Sequence, residues 1–231
     1  ASREITAGRL GRVQVLLGRD DEAVDTLSGT RFHVWEGESG IHSVYVAARL
    51  ERGRRLLAKG AAAEALDEFR ATVDVPANIE VGQGAGAHLA ATHHHVGLAL
   101  EKLGRKDEAA AAFRESASVP AVVAEGHYWI GRSLQKLGRP VEARRHFERL
   151  AATRPRAVDP ARPLEVRMEA REGRSADLHA RALGLLGLGL ETEARSALAS
   201  ALDADPDNVS AVVLRRSLAP TGRAAAREKR P

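Results

Sequence analysis

Three consecutive histidines, His93, His94 and His95, are the residues of this sequence best suited by type to bind a transition metal. Their spacing is wrong for that role, because a metal-binding pair on a helix needs positions i and i+3 or i+4. The chain has no His-Glu-x-x-His motif and no cysteine. We therefore expect neither a metal site nor a thiolate nucleophile.

A short Gly-containing loop concentrates side chains that could bind a ligand. It contains Arg31, Phe32, His33, Trp35 and Glu36. The two aromatic rings can stack on a sugar or on a peptide side chain, and the other three residues can supply polar contacts. The alternative is that both rings fold back and fill a gap between neighbouring helical units, so the loop predicts either a ligand contact or a packing element.

No arrangement of residues in this chain indicates catalysis. A nucleophile elbow of the Gly-x-Ser-x-Gly type, a phosphate loop and a dinucleotide fingerprint are all absent. The run Gly82-x-Gly84-x-Gly86 follows no predicted strand and matches no phosphate-binding pattern. We expect no enzyme activity and no cofactor.

The composition limits the elements that can position these residues. Aromatic residues make up only 3% of the 231-residue chain, which argues against the inner faces of a β-sandwich or barrel. No run of 18 apolar residues could span a membrane. The sequence begins Ala-Ser-Arg-Glu, which indicates neither a signal peptide nor an initiator methionine, and we expect a piece of a longer protein. The composition favours an all-α, cytoplasmic protein.

The excess of basic residues is small and local. The formal net charge is +4, and the segment from Arg139 to Arg174 contains ten arginines and six acidic residues. No basic stripe with interleaved aromatic residues is present, so nucleic-acid binding is an unfavoured prediction.

The sequence repeats itself every 34 residues in its central part. Segment 93–113 aligns without a gap with segment 127–147, and Gly97 and Phe113 fall on Gly131 and Phe147. Extending this frame along the chain gives five copies, each with an alanine at the same position. The five alanines are Ala23, Ala65, Ala109, Ala143 and Ala194.

This period and pattern resemble the tetratricopeptide repeat (TPR), a helix-turn-helix unit. The resemblance implies a right-handed α-solenoid of about five helix pairs with a capping helix near 208–218. Small residues should lie where the helices of a pair cross, glycine should end each first helix at φ > 0, and Phe69, Phe113 and Phe147 should fill the wedge between repeats. The predicted repeats lie near 4–30, 46–76, 90–120, 124–155 and 175–207, with insertions at 31–40, 77–87 and 156–174, and a basic tail at 221–231.

The same resemblance assigns residues to a concave groove that would bind a partner. They are Arg12, Arg54, His94, Glu101, Lys102, Tyr128, Arg132, Gln135 and Lys136. This wall is mixed but mainly basic, so it could bind an acidic peptide, although a solvated charged face is the simpler interpretation.

A narrower resemblance rests on the insertions. Arg-Phe-His-x-Trp-Glu-Gly at 31–37, and the Pro-x-Asn-x-x-x-Gly pattern at 76–82, resemble the C-terminal repeat region of large bacterial proteins. Their N-terminal half is a β-rich domain of unknown function. The resemblance covers roughly residues 20–150, with Val34 where proline is expected and three histidines in place of a more aromatic triplet. It implies an accessory module, with any catalysis elsewhere in the parent protein.

Two functions therefore remain open. The first is a protein-interaction scaffold that binds a peptide, its own tail or another domain of its parent in the concave groove. The second is an accessory module of a carbohydrate-active protein, in which Arg31, Trp35 and Glu36 border a sugar site. The sequence leaves the oligomeric state open.

Overall fold

The structure is a computed structural model that describes residues 2–33, 40–74, 76–79, 86 and 88–219. The described residues form eleven α-helices. In chain order these are α1 (Ser2–Leu16), α2 (Asp20–Ser28), α3 (Ile41–Ala58), α4 (Ala62–Arg70), α5 (Leu89–Lys102), α6 (Lys106–Ser118), α7 (Ala124–Lys136), α8 (Pro140–Ala151), α9 (Leu164–Gly187), α10 (Glu191–Ala204) and α11 (Val209–Ser217).

The helices pack as five consecutive pairs followed by one more helix. Within a pair, each helix packs against its partner, and the pairs contact each other through α2 and α3, α4 and α5, α6 and α7, and α8 and α9. The only extended pairing in the described residues is an isolated bridge between Phe32 and Ile79. The predicted all-α solenoid of about five helix pairs plus a last helix is confirmed.

Glycine ends the first helix of every pair. Each of these glycines has a positive φ, between 73° and 87°, which residues with a side chain rarely adopt. They are the predicted turn positions Gly18, Gly60, Gly104, Gly138 and Gly189. The prediction for the inter-helix turns is therefore confirmed.

A glycine on the first helix of a pair meets an aromatic ring from the second helix. A Cβ atom added at Gly97 or Gly131 would lie 2.5 Å from the ring of Phe113 or Phe147, and Gly53 faces Phe69 in the same way. Phe69 and Phe147 are among the largest fully buried side chains. The predicted close crossing is confirmed, because only glycine leaves room for the ring there. The rings fill the crossing within a pair, and Phe69 also packs with Val96 and Leu100 of the next pair, towards the predicted wedge.

The largest departure from the repeat frame is at the fifth pair. Its first helix, α9, begins at Leu164, inside the segment assigned to an insertion, and is 24 residues long. Pro163 precedes it, and the side chain of Asp177 accepts hydrogen bonds from the backbone and guanidinium of Arg156. These bonds hold the preceding loop against the extended helix. The predicted tail, 221–231, lies outside the described residues.

The close crossing can be tested at Gly97. We expect Gly97→Ala to lower the free energy of unfolding by about 1–3 kcal/mol, because the new methyl group overlaps the Phe113 ring. The control is Gly126→Ala in α7, where the added Cβ would lie 3.5 Å from its nearest neighbour. That change should be neutral or stabilising by up to about 1 kcal/mol. Urea unfolding measures the free energy of unfolding of both variants. Equal destabilisation by the two substitutions would contradict the conclusion that the glycine–phenylalanine crossing restricts side-chain size at position 97.

Candidate functional site

The predicted groove residues lie mainly on the first helices of successive pairs. These helices contact each other directly, α1 with α3, α3 with α5, α5 with α7, and α7 with α9. We call the surface formed by α1, α3, α5, α7 and α9 the first-helix wall. The solenoid thus aligns side chains from residues that are far apart in the sequence.

His94 lies inside the wall rather than on it. Its side chain is buried, with 2% of the residue exposed, and Nδ1 lies 2.8 Å from Ser133 Oγ. Ser133 Oγ donates to Ser116 Oγ, which donates to the carbonyl of Ala90. Since each serine has only one proton to donate, the His94 Nδ1–H must donate to Ser133. His94 therefore joins the third and fourth repeats as a structural residue.

His95 and Trp129 occupy equivalent repeat positions and pack against each other. Their ring centroids are 4.6 Å apart, and the ring centroid of Phe69 lies 5.1 Å from that of His95. His95 Nδ1 donates to the carbonyl of Ala91 at 2.7 Å. His94 and His95 thus form part of an aromatic core, and the described residues contain no cluster of three or more potential metal ligands.

Burial lowers the pKa of both histidines. Loss of solvation is the main cause, and it lowers the pKa of His95 to about 3. The positive charges of Arg54 and Arg132 act in the same direction on both imidazoles, and the neighbouring His95 adds to the effect on His94. Both rings are therefore neutral near pH 7, in an environment that repels cations.

The predicted groove cations converge around this core, but several are neutralised. Arg54 lies over the Trp129 ring, 5.9 Å from its centroid, and pairs with Glu51 at 2.6 Å. Lys136 pairs with Glu101 at 2.6 Å, which joins two predicted positions across α5 and α7. The wall is therefore less basic than its residue types suggest.

Arg132 differs from Arg54 and Lys136, which both pair with a carboxylate. Among the contacts of the described residues, its guanidinium donates to Tyr128 Oη at 3.0 Å and lies over the Tyr128 ring, with no carboxylate within ion-pair distance. Tyr128 is itself buried, with 6% exposed. Gln135 and Lys102, the remaining predicted positions here, lie exposed at the ends of α7 and α5.

Arg12 is placed away from the other groove residues. Its Nη2 donates to the carbonyl of Asp207 at 2.8 Å, and it connects α1 with the segment that precedes α11. The first repeat and the last helix are therefore in contact, an arrangement that the repeat frame did not predict.

The first insertion packs against the second. Phe32 is 1% exposed and packs with Leu27, Tyr45 and Ile79, and its backbone N–H donates to the carbonyl of Asn78 at 2.7 Å. Asn78 Nδ2 in turn donates to the carbonyls at 27 and 30. For Phe32 the structure therefore supports the packing alternative.

The rest of the loop is only partly described. His33 Nδ1 lies 3.0 Å from a carboxylate oxygen of Glu4, and its backbone N–H donates to the same carboxylate. Arg31 is exposed, whereas Trp35 and Glu36 lie outside the described residues. The structure thus brings His33 to α1 and leaves the proposed sugar contacts as predictions.

Two sets of functional candidates were missed by the sequence analysis. One is Trp129, whose ring lies under the guanidinium of Arg54 on the wall. The sequence showed that Trp129 aligns with His95, but not which side chain of the His127-Tyr128-Trp129 triplet faces the cations. The other is the pair Asp20 and Arg216, whose side chains approach to 3.7 Å across the first and last repeats. No local pattern could relate positions 196 residues apart.

Protonation of the buried imidazoles should destabilise the fold. Because the pKa of His95 is about 3 in the folded state and near 6.5 when unfolded, the unfolded chain binds more protons below pH 6.5. Stability should therefore fall with decreasing pH, by about 2 kcal/mol at pH 5 for this residue alone. His95→Gln should reduce the slope between pH 7 and pH 5, measured by urea unfolding.

The control for this prediction is His93→Gln. The side chain of His93 lies nearer the solvent, 3.1 Å from Glu115, so the variant removes an imidazole from the same helix without opening the aromatic core. An unchanged pH slope in His95→Gln would contradict the prediction.

No helix of the described part combines the length and apolar character needed to cross a membrane. No curated protein sequence matches the chain at a significant level.

Solved structures resemble the chain at low identity. A crystal structure of MamA is 16% identical, with 85% of this chain and 94% of that chain covered and a TM-score of 0.31. YrrB, described as a TPR protein with an unusual peptide-binding site, is 15% identical, with 92% of each chain covered and a TM-score of 0.34.

A model of the tetratricopeptide repeat family matches residues 96–158. This segment begins within α5, ends in the loop after α8, and contains residues 96–113 and 127–147 of the two copies that align without a gap. The match agrees with the helix pairs, the turn glycines and the glycine–phenylalanine crossings of the structure. Residues 96–158 therefore match the tetratricopeptide repeat family, within an all-α solenoid.

Proposed function

We propose that the protein is a non-catalytic interaction scaffold whose first-helix wall binds an extended peptide or a segment of another domain, at the surface around Arg132, Arg54 and Trp129. One observation carries the proposal. The guanidinium of Arg132 has no carboxylate partner among the described residues, whereas the groove cations Arg54 and Lys136 pair with Glu51 and Glu101. The half-buried Trp129 lies three positions before Arg132 on α7.

The chemistry of this surface favours a partner with a carboxylate next to an apolar side chain. A guanidinium can bind a carboxylate in two parallel hydrogen bonds, and Trp129 offers an aromatic surface for the adjacent group. The neutral imidazoles below it add no charge, so the electrostatic attraction depends on Arg132 and on the release of Arg54 from Glu51.

The rigidity of the underlying core supports a preformed binding surface. Below the wall, the bonds from His94 through Ser133 and Ser116 to Ala90 are all made by buried groups. A satisfied polar network of this kind fixes the relative position of neighbouring repeats. A partner would then lose little free energy to ordering the scaffold.

A display selection with random twelve-residue peptides tests this proposal. Peptides selected on the intact chain should be enriched in Asp and Glu and should lose at least tenfold in affinity for Arg132→Glu. Arg144→Glu is the matched control, because Arg144 is an exposed arginine on α8 that pairs with Glu148. Equal binding to both variants, or peptides without acidic residues, would contradict the proposed surface.

The carbohydrate alternative depends on residues 34–39. Phe32 is buried and cannot act as a stacking platform, so a sugar site would rely on Trp35 with Arg31 and Glu36. Loss of oligosaccharide binding in Trp35→Ala, with Arg132→Glu unaffected, would favour this alternative. The resemblance to the repeat region of larger bacterial proteins also remains a prediction.

A further inference from the structure

The last helix, α11, packs between the two ends of the solenoid. On one side, Ala211 and Val212 are buried against α9 and α10 in the core of the fifth repeat. On the other side, Val209 and Val213 pack against a separate core cluster from the first two repeats, Val15, Ala23, Val24 and Ala48. A helix that only capped the last repeat would need no second apolar face.

Polar contacts follow the same boundary between α11 and the first repeats. Arg216 Nη2 lies 3.7 Å from Asp20 Oδ1, and the other Asp20 oxygen accepts from Arg55 at 3.2 Å. The Asp20 side chain is only 8% exposed. The carbonyl of Asp207, just before α11, accepts from Arg12. The buried carboxylate of Asp20 thus faces α11, and Arg216 of α11 forms an ion pair with it.

These contacts leave several buried polar atoms unsatisfied. Asp20 Oδ1, Arg216 Nε and Arg216 Nη2 are all buried and make no hydrogen bond within the described structure. A buried ion pair with incomplete hydrogen bonding gains little free energy, since desolvation offsets its Coulomb attraction. The interface between α11 and the first repeats is therefore weaker than its buried position suggests.

We propose that the surface formed by α1, α2 and α3 around Asp20 is a binding site for an amphipathic helix, which α11 occupies in cis and from which a partner helix displaces it. The partner carries branched apolar residues four positions apart and an arginine three positions further on, as Val209, Val213 and Arg216 do in α11. The inference rests on the proposed scaffold function only in that the displacing ligand is a protein, and it concerns a different surface from the one around Arg132.

Hydrogen exchange of the intact chain tests whether α11 opens on its own. The amides of α11 should exchange at least tenfold faster than those of α5 to α8, because local opening needs less free energy than global unfolding. Arg216→Glu, which places a carboxylate against Asp20, should increase exchange in α11 at least tenfold further and leave α5 to α8 unchanged. The control is Arg215→Glu, the neighbouring exposed arginine of the same helix. If α11 and α5 to α8 exchange at the same rate and respond together, the proposal is overturned.

A labelled peptide spanning residues 205–219 then tests the site itself. The intact Arg216→Glu chain should bind this peptide at least tenfold more tightly than the unaltered chain, because its own helix no longer occupies the site. The same peptide carrying Arg216→Glu should lose this binding, since it repels Asp20. A chain whose α11 opens but which binds neither peptide would overturn the proposal. Failure of the Arg132→Glu experiment would leave these results unaffected, so the two proposals can fail separately.

Discussion

The contact between a glycine of the first helix and a ring of the second is the constraint on which the array depends. Gly53, Gly97 and Gly131 let the two helices approach until the rings of Phe69, Phe113 and Phe147 lie where a Cβ would be. The same ring of Phe147 also meets Gly187 of the next repeat. Because a single phenylalanine fills the crossing in the second, third and fourth pairs, and Leu27 does so in the first, few other aromatic residues are needed, which is consistent with the composition.

Polar side chains replace part of the apolar core between the third and fourth repeats. His94, Ser133 and Ser116 are buried but hydrogen-bond to one another. These directional bonds fix how the two repeats pack without leaving one of the three side chains unpaired. This arrangement fixes the wall on which Arg54, Trp129 and Arg132 lie. The same burial keeps the imidazoles neutral, which couples the stability of these repeats to pH.

The packing at the ends of the solenoid differs from the packing in its middle. Each end of a repeat array exposes an apolar face that needs a cover. Here one short helix, α11, covers the last repeat and also contacts the first two. Apolar packing on both sides of α11 is combined with the Asp20–Arg216 ion pair, which lacks full hydrogen bonding, whereas the buried polar groups of the middle repeats satisfy one another.

The sequence by itself determined the repeat frame. The 34-residue offset, the glycines of the turns and the phenylalanines of the crossings depend on contacts within one or two repeats, and these recur in the chain at a fixed spacing. The last helix was equally visible, since Asn208 caps it by accepting a hydrogen bond from the N–H of Ala211. Only the tertiary structure decided that His94 is buried, that Phe32 packs on Ile79, that Lys136 is neutralised by Glu101, and that Arg216 reaches Asp20. The physical reason is that these contacts depend on how successive repeats are rotated and stacked, which sets side-chain neighbours from different repeats and leaves no periodic signal in the chain.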